Sequence, residues 1–227
     1  MADVRNTQAG WRWLGVLFGL VGLLGGSGAV AREPDGLEVR GLGGQLDEQA
    51  LRKAFRAKAY DIERCILGLA KPMTWLDGTM TFTFDVWPSG RHRIRLADSD
   101  LGHYQVEACL WKVVRTVRLP RAKGGKAKGR YPLHVPNRGT PHVVWKASRV
   151  RRVMRSRRRA VLSCRRGRRP RHFVVTMYIL PGGRLGASGV FAKGGLPEGF
   201  AACVHDKLKG AAFPDTFGKV VKVRYRF

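Results

Sequence analysis

The run TFTFDVWPSGRHRIRL, residues 81–96, constrains the fold more than any other stretch, because its pattern returns at residues 174–190 as VVTMYILPGGRLGASGV. In the first run Phe82, Phe84 and Val86 share one parity and Thr81, Thr83 and Asp85 the other. A period of two places apolar groups on one face of a half-buried strand. Pro88 pre-sets φ for the first turn position, and Gly90 can take the left-handed position that closes a short hairpin loop. Leu180, Pro181, Gly182 and Gly183 offer the same chemistry. The return strands continue through Ile94 and Leu96, and through Leu185, Ala187 and Val190.

The segments around the two hairpins also correspond. Pro88 precedes Cys109 by 21 residues, and Pro181 precedes Cys203 by 22. An apolar–proline pair follows each cysteine, Leu119-Pro120 and then Phe213-Pro214. Upstream, with Cys65 set on Cys164, Leu51 falls on Val150, Ala54 on Val153, Phe55 on Met154, Lys58 on Arg157 and Ile62 on Val161. The apolar positions among these, at i, i+3, i+4 and i+11, mark the inner stripe of a single helix in each copy. Asp47 and Glu48 supply a start signal in the first copy. The second helix of each copy is expected over residues 102–117 and 197–209, and a closing strand over RYPLHV from Arg130 and KVVKVRYRF from Lys219. The chain thus reads as α+β, two tandem units each ordered helix–strand–strand–helix–strand around a small antiparallel sheet. Unit 1 spans residues 45–135 and unit 2 residues 143–227, with PNRGTP in the linker, residues 136–142. RAKGGKAKGR, residues 121–130, reads as a mobile loop.

Residues 1–31 read as an export signal. Residues 1–13 are a short leading region that carries Arg5 and Arg12, LGVLFGLVGLL is the apolar core, and Ala29 and Ala31 fit the small-residue cleavage rule. The mature chain is expected to begin at Arg32, in the periplasm or outside the cell. All four cysteines, Cys65, Cys109, Cys164 and Cys203, lie beyond this leader. An even count in an exported protein reads as disulfides. Four cysteines allow three pairings, and the repeat selects Cys65–Cys109 with Cys164–Cys203, one staple per unit. Closing a loop of about 40 residues is worth about 3–4 kcal/mol.

The ordered set of Cys65, Gly78, Gly90, Ser99, Cys109, Leu110, Leu119 and Pro120, repeated as Cys164, Gly183, Cys203, Val204, Phe213 and Pro214, resembles the C-terminal domain of the AgmX/PglI gliding-motility proteins of myxobacteria, a relative of the TonB C-terminal fold. The resemblance covers nearly all of the mature chain. It implies a non-enzymatic envelope module that binds other envelope components, and a sheet edge able to accept an extended partner strand.

Charge narrows the partner. The formal net charge is +27, and no Asp or Glu occurs between Ala108 and Pro197. Such a field attracts polyanions. Twelve of the 25 residues from 148 to 172 are arginine. With Val150, Val153, Met154 and Val161 facing inward, Arg151, Arg152, Arg155, Arg158 and Arg159 cover the outer faces of the helix. A basic amphipathic helix with planar guanidinium forks suits a phosphate- or carboxylate-bearing surface. Lipopolysaccharide and anionic membrane are the expected polyanions; nucleic acid is disfavoured by export and by the lack of a recognition motif. An enzyme is not expected. His103 and His205 lie near Cys109 and Cys203, but a thiol nucleophile needs a free sulfur. The six histidines, His92, His103, His134, His142, His172 and His205, lack metal-ligand spacing, and no cofactor motif occurs. Asp98, Asp100 and Glu107 read as helix-capping groups.

Overall fold

Alternation and turn chemistry produce two small sheets, each carrying helices. The computed structural model describes residues 38–41, 43–165 and 170–227. The expected leader and its cut before Arg32 lie outside the described residues. In the first half, α1 (Glu48–Arg56) and α2 (Ala59–Ala70) lead to the hairpin β2 (Gly78–Val86) and β3 (His92–Ser99), then α3 (Tyr104–Val114) and β4 (Ala127–Val135). β4 and β3 flank β2 antiparallel, and the short β1 (Glu38–Gly41) extends the sheet beyond β4. In the second half, β5 (His142–Trp145) precedes α4 (Arg151–Leu162), the hairpin β6 (Val174–Leu180) and β7 (Arg184–Phe191), α5 (Phe200–Lys209) and β8 (Val220–Arg226). The order is β5-β8-β6-β7, so the hairpin and closing strand are arranged as in the first sheet.

The two hairpins close differently. In the first, the Gly90 N–H donates to the Trp87 carbonyl at 2.9 Å. In the second, Pro181–Gly183 forms one 3₁₀ turn with both glycines left-handed. Gly183 is required there for space as well as φ. A Cβ on it would lie 2.1 Å from the Phe213 carbonyl oxygen, and the Phe213 N–H donates to the Gly183 carbonyl at 3.0 Å. The apolar–proline pair of this half therefore docks on its own hairpin turn.

Several sequence expectations need correction. The single first helix is broken in the first half at Ala57 and Lys58. A continuous helix would carry Lys58 along the stripe of Phe55 and Ile62; at the break its ammonium instead pairs with Asp61 at 3.5 Å. In the second half α4 runs unbroken after a 3₁₀ turn, Ala147–Val150, because Arg157 at the equivalent position donates to the Gly210 carbonyl at 2.8 Å. The second sheet is mixed rather than antiparallel, since β5 runs parallel to β8. PNRGTP is not a free linker. The Arg138 guanidinium donates to the Ala70 carbonyl, the Arg138 N–H donates to the Thr74 carbonyl at 2.8 Å, and Asn137 donates to the Trp75 and Thr140 carbonyls. The glycine- and lysine-rich run is likewise held, by a bridge between Lys123 and Gln45 and by β4, which starts at Ala127 rather than Arg130.

Nor are the halves separate bodies. Val175, Met177 and Ile179 face one core with Met154, Val161 and Val204. Tyr178, Ala187 and Val220 instead join the other core with Leu76, Leu101 and Leu110 of the first half. One face of the second sheet is therefore buried by the first half. This explains why β6 is buried on both parities although its pattern reads as half-exposed.

Candidate functional site

The structure places both disulfides within a half. Cys65 of α2 bonds Cys109 of α3, and Cys164, just past α4, bonds Cys203 of α5. All four sulfurs are thus oxidised, which leaves neither His103 nor His205 a thiol to activate.

The arginine helix follows from its sequence pattern. Met154 and Val161 are buried, while Arg151, Arg152, Arg155, Arg158 and Arg159 are all exposed. Among the described residues no carboxylate pairs with any of these five guanidinium groups. The helices at the matching place in the first half differ. There Arg52 pairs with Glu48 at 2.7 Å, and Lys58 and Arg64 both reach Asp61. The same inner stripe thus carries a surface with three paired cations in one half and, among the described residues, a cationic surface without acidic partners in the other.

The acidic groups read as caps have more specific duties. The N-cap of α3 is His103, whose Nδ1 accepts the Val106 N–H at 3.3 Å. Asp100 accepts the Thr79 N–H at 2.6 Å, and Asp98 pairs with Arg224 of β8 at 2.9 Å. Glu107 lies buried between the halves, accepting the Ser99 hydroxyl at 2.6 Å and the Gly102 N–H at 3.2 Å. Burial lifts its carboxyl above the ordinary value, against the hydrogen bonds from Ser99, Gly102 and Val190. A Cβ on Gly189 would lie 2.4 Å from Glu107 Oε2, so only glycine lets β7 pass over this carboxyl. Nearby, Ser188 Oγ and His205 Nδ1 are 3.0 Å apart, and the Tyr104 ring lies against His205. Burial lowers the pKa of both His103 and His205. On the other side of the seam, the buried Lys222 ammonium reaches Asp77 at 3.3 Å and Asp100 at 3.5 Å. The Tyr178 hydroxyl donates to the Asp77 carbonyl and accepts the Asp77 N–H. These polar groups are occupied with one another across the seam, so we assign the cluster to holding the halves together.

A groove that sequence reasoning missed runs along β5. It is a cavity of about 190 Å³ whose lining joins the apolar Val143, Trp145, Val221 and Phe217 to Arg149, Lys219 and Thr216. Phe217 is 81 % exposed, and among the described residues it is the only non-glycine with positive φ, 52°. The one signal for it was the turn-like Asp215-Thr216-Phe217-Gly218, which offers a large aromatic where turns favour Asn or Gly. β5 itself was hidden because HVVW abuts the linker prolines and is too short to show a period.

No helix among the described residues is long and apolar enough to cross a membrane. Comparison with protein-family models, with curated proteins and with solved structures finds no match to this chain.

Proposed function

We propose that the protein is an exported, non-enzymatic binding or adaptor protein of the cell envelope. In this reading it consists of two disulfide-stapled modules of the TonB C-terminal kind, as in AgmX/PglI, and its second module carries a face for anionic envelope surfaces. The observation that carries the reading is the contrast between the two halves. Among the described residues Arg151, Arg152, Arg155, Arg158 and Arg159 are exposed and have no acidic partner, whereas Arg52, Lys58 and Arg64 of the first half pair with Glu48 and Asp61. Since the inner stripe is shared, the fold does not require this charge. An unpaired arginine array attracts phosphates and carboxylates strongly at low ionic strength and loses that attraction as salt screens it. The module reading draws support from the shared order of hairpin and closing strand and from one helix-region disulfide in each half.

The test replaces the five arginines with glutamine, which leaves helix propensity nearly constant. Folding is expected to survive, and binding to lipopolysaccharide and to anionic vesicles is expected to fall at least about tenfold at low salt. Undiminished binding by this variant would overturn the anionic-surface reading. Crosslinking from the periplasm under non-reducing conditions tests the adaptor role, which requires a protein partner among the captured products.

A further inference from the structure

We infer that the groove beside β5 is a lipid-contact site: Phe217 inserts among the acyl chains of an anionic bilayer while Arg149, Lys219 and the Thr216 hydroxyl hold a lipid phosphate. This deepens the anionic-surface reading and rests on it.

Three independent features of the groove lead there. The first is backbone conformation. A phenylalanine at φ 52° is held where side chains with a Cβ are disfavoured, and the turn is fixed in place by Asp215 Oδ1, which accepts the Phe217 N–H at 3.2 Å. A local strain of this kind persists only where surrounding structure imposes it, and here it presents a whole aromatic ring to solvent. The second is an unpartnered polar group. Thr216 lines the groove and is 3 % exposed, yet among the described residues its Oγ1 has no hydrogen-bond partner. A buried hydroxyl without a partner costs stability, and turning it toward the groove would let a phosphate oxygen satisfy it. The third is charge complementarity. Arg149 and Lys219 stand at the groove, and Arg149 also lies over the Trp145 ring at 5.2 Å. Two residues beyond Arg149 the arginine array begins, and β5, the turn before α4 and α4 itself all fall in the acid-free stretch between Ala108 and Pro197. The one acid of the Phe217 turn, Asp215, is engaged with the backbone.

The size of the cavity selects the occupant. At about 190 Å³ it is smaller than a site that encloses a whole small molecule, so it fits a headgroup fragment of something larger. An exposed aromatic at the rim, a cationic surround and a small polar recess together match the boundary of an anionic bilayer, where an aromatic ring sits among the upper acyl chains and cations meet phosphates. A soluble polyanion would use the arginines but would leave Phe217 in water. That difference separates the bilayer from other anions.

The test uses the chain from Arg32 onward, which carries every described element, with vesicles of phosphatidylcholine alone or mixed with phosphatidylglycerol. Phe217→Asn keeps the turn, because Asn tolerates the left-handed region. Thr216→Val keeps the shape and removes the hydroxyl. Both are expected to keep or raise the thermal midpoint. F217N is expected to bind the mixed vesicles about tenfold more weakly, and the deficit should persist in high salt because the lost contact is apolar. T216V is expected to weaken binding several-fold on the mixed vesicles only. In the parent, brominated acyl chains should quench Trp145 fluorescence, and F217W should add a further quenched signal. If F217N binds as the parent does while the five-glutamine variant has lost binding, the lipid-contact site is wrong and the arginine reading stands. If the five-glutamine variant binds as the parent does, the arginine reading fails regardless of Phe217. Equal binding of T216V would remove the phosphate from the groove. Equal parent binding to both vesicle types would overturn the anionic character of the site.

Discussion

At the scale of single residues, the informative side chains are those whose surroundings contradict their type. Asp85 is nearly buried in a strand. Burial alone would raise its carboxyl, but the hydrogen bonds and charges of Lys126 and Arg95 together outweigh burial and hold it below its ordinary value. Such a depressed carboxylate stabilises the fold above its unfolded value, near 3.8, and that contribution disappears as pH falls through the lower folded value. Asp85→Asn should therefore cost about 1–3 kcal/mol at neutral pH and little in strong acid, as denaturant titration at the two conditions would reveal. Tyr178 is a second case. Its hydroxyl meets both main-chain groups of Asp77 from the opposite half. Tyr178→Phe leaves the Asp77 N–H without that partner and should cost about 1–2 kcal/mol, measured by the shift in denaturation midpoint. Phe217 is the opposite case, because relieving its backbone by F217N should add about 1 kcal/mol to stability.

At the scale of elements, the sequence and the structure agree where side-chain pattern alone decides. Phe82, Phe84 and Val86 stand on the core face as their alternation requires, and Val106, Leu110 and Val114 line the inner face of α3. Cysteine pairing was legible because two equivalent helix–hairpin–helix segments leave each pair as its own nearest copy. Replacing either pair by alanine should lower stability by about 3–4 kcal/mol, and equal losses from the two pairs are expected because the loops span 44 and 39 residues. The positions that were illegible depend on long-range partners. The ordering of Arg138 answers to carbonyls of α2 and the following turn, more than sixty residues earlier. The pairing of β5 depends on β8, some eighty residues away, and four residues are too few for a period to declare itself. The five arginines were legible as an exposed array; the groove next to them was not, because it is assembled from β5, the turn before α4 and the turn before β8.

At the scale of the whole molecule, the seam makes one body of two similar halves. Tyr178, Ala187 and Val220 complete the first half's core, so neither half buries its full apolar surface alone. Calorimetry should show one cooperative transition, with the van't Hoff and calorimetric enthalpies in agreement; two resolved transitions would contradict the shared core. The seam also sets a pH response of two signs. His103 and His205 have depressed folded values, so their contribution is present above the ordinary value of 6.5 and is lost as pH falls through the folded values. Glu107 has a raised folded value, so its contribution is present below 4.5 and is lost as pH rises through the folded value. Glu107→Gln should abolish the loss on the rising side and leave the histidine loss intact, which urea titrations from about pH 4 to about pH 8 would resolve.

The position of β8 has a consequence for the order in which the second half assembles. β8 lies between β5 and β6, and it sends Lys222 and Arg224 back to Asp77 and Asp98 of the first half. Until residues 220–226 have been synthesised, β5 has no neighbour, the second sheet has no centre, and the seam lacks both of these cationic ties. In refolding, the amides of β5 and of the β6 edge that faces β8 should therefore gain protection from hydrogen exchange together with those of β8 and not before them.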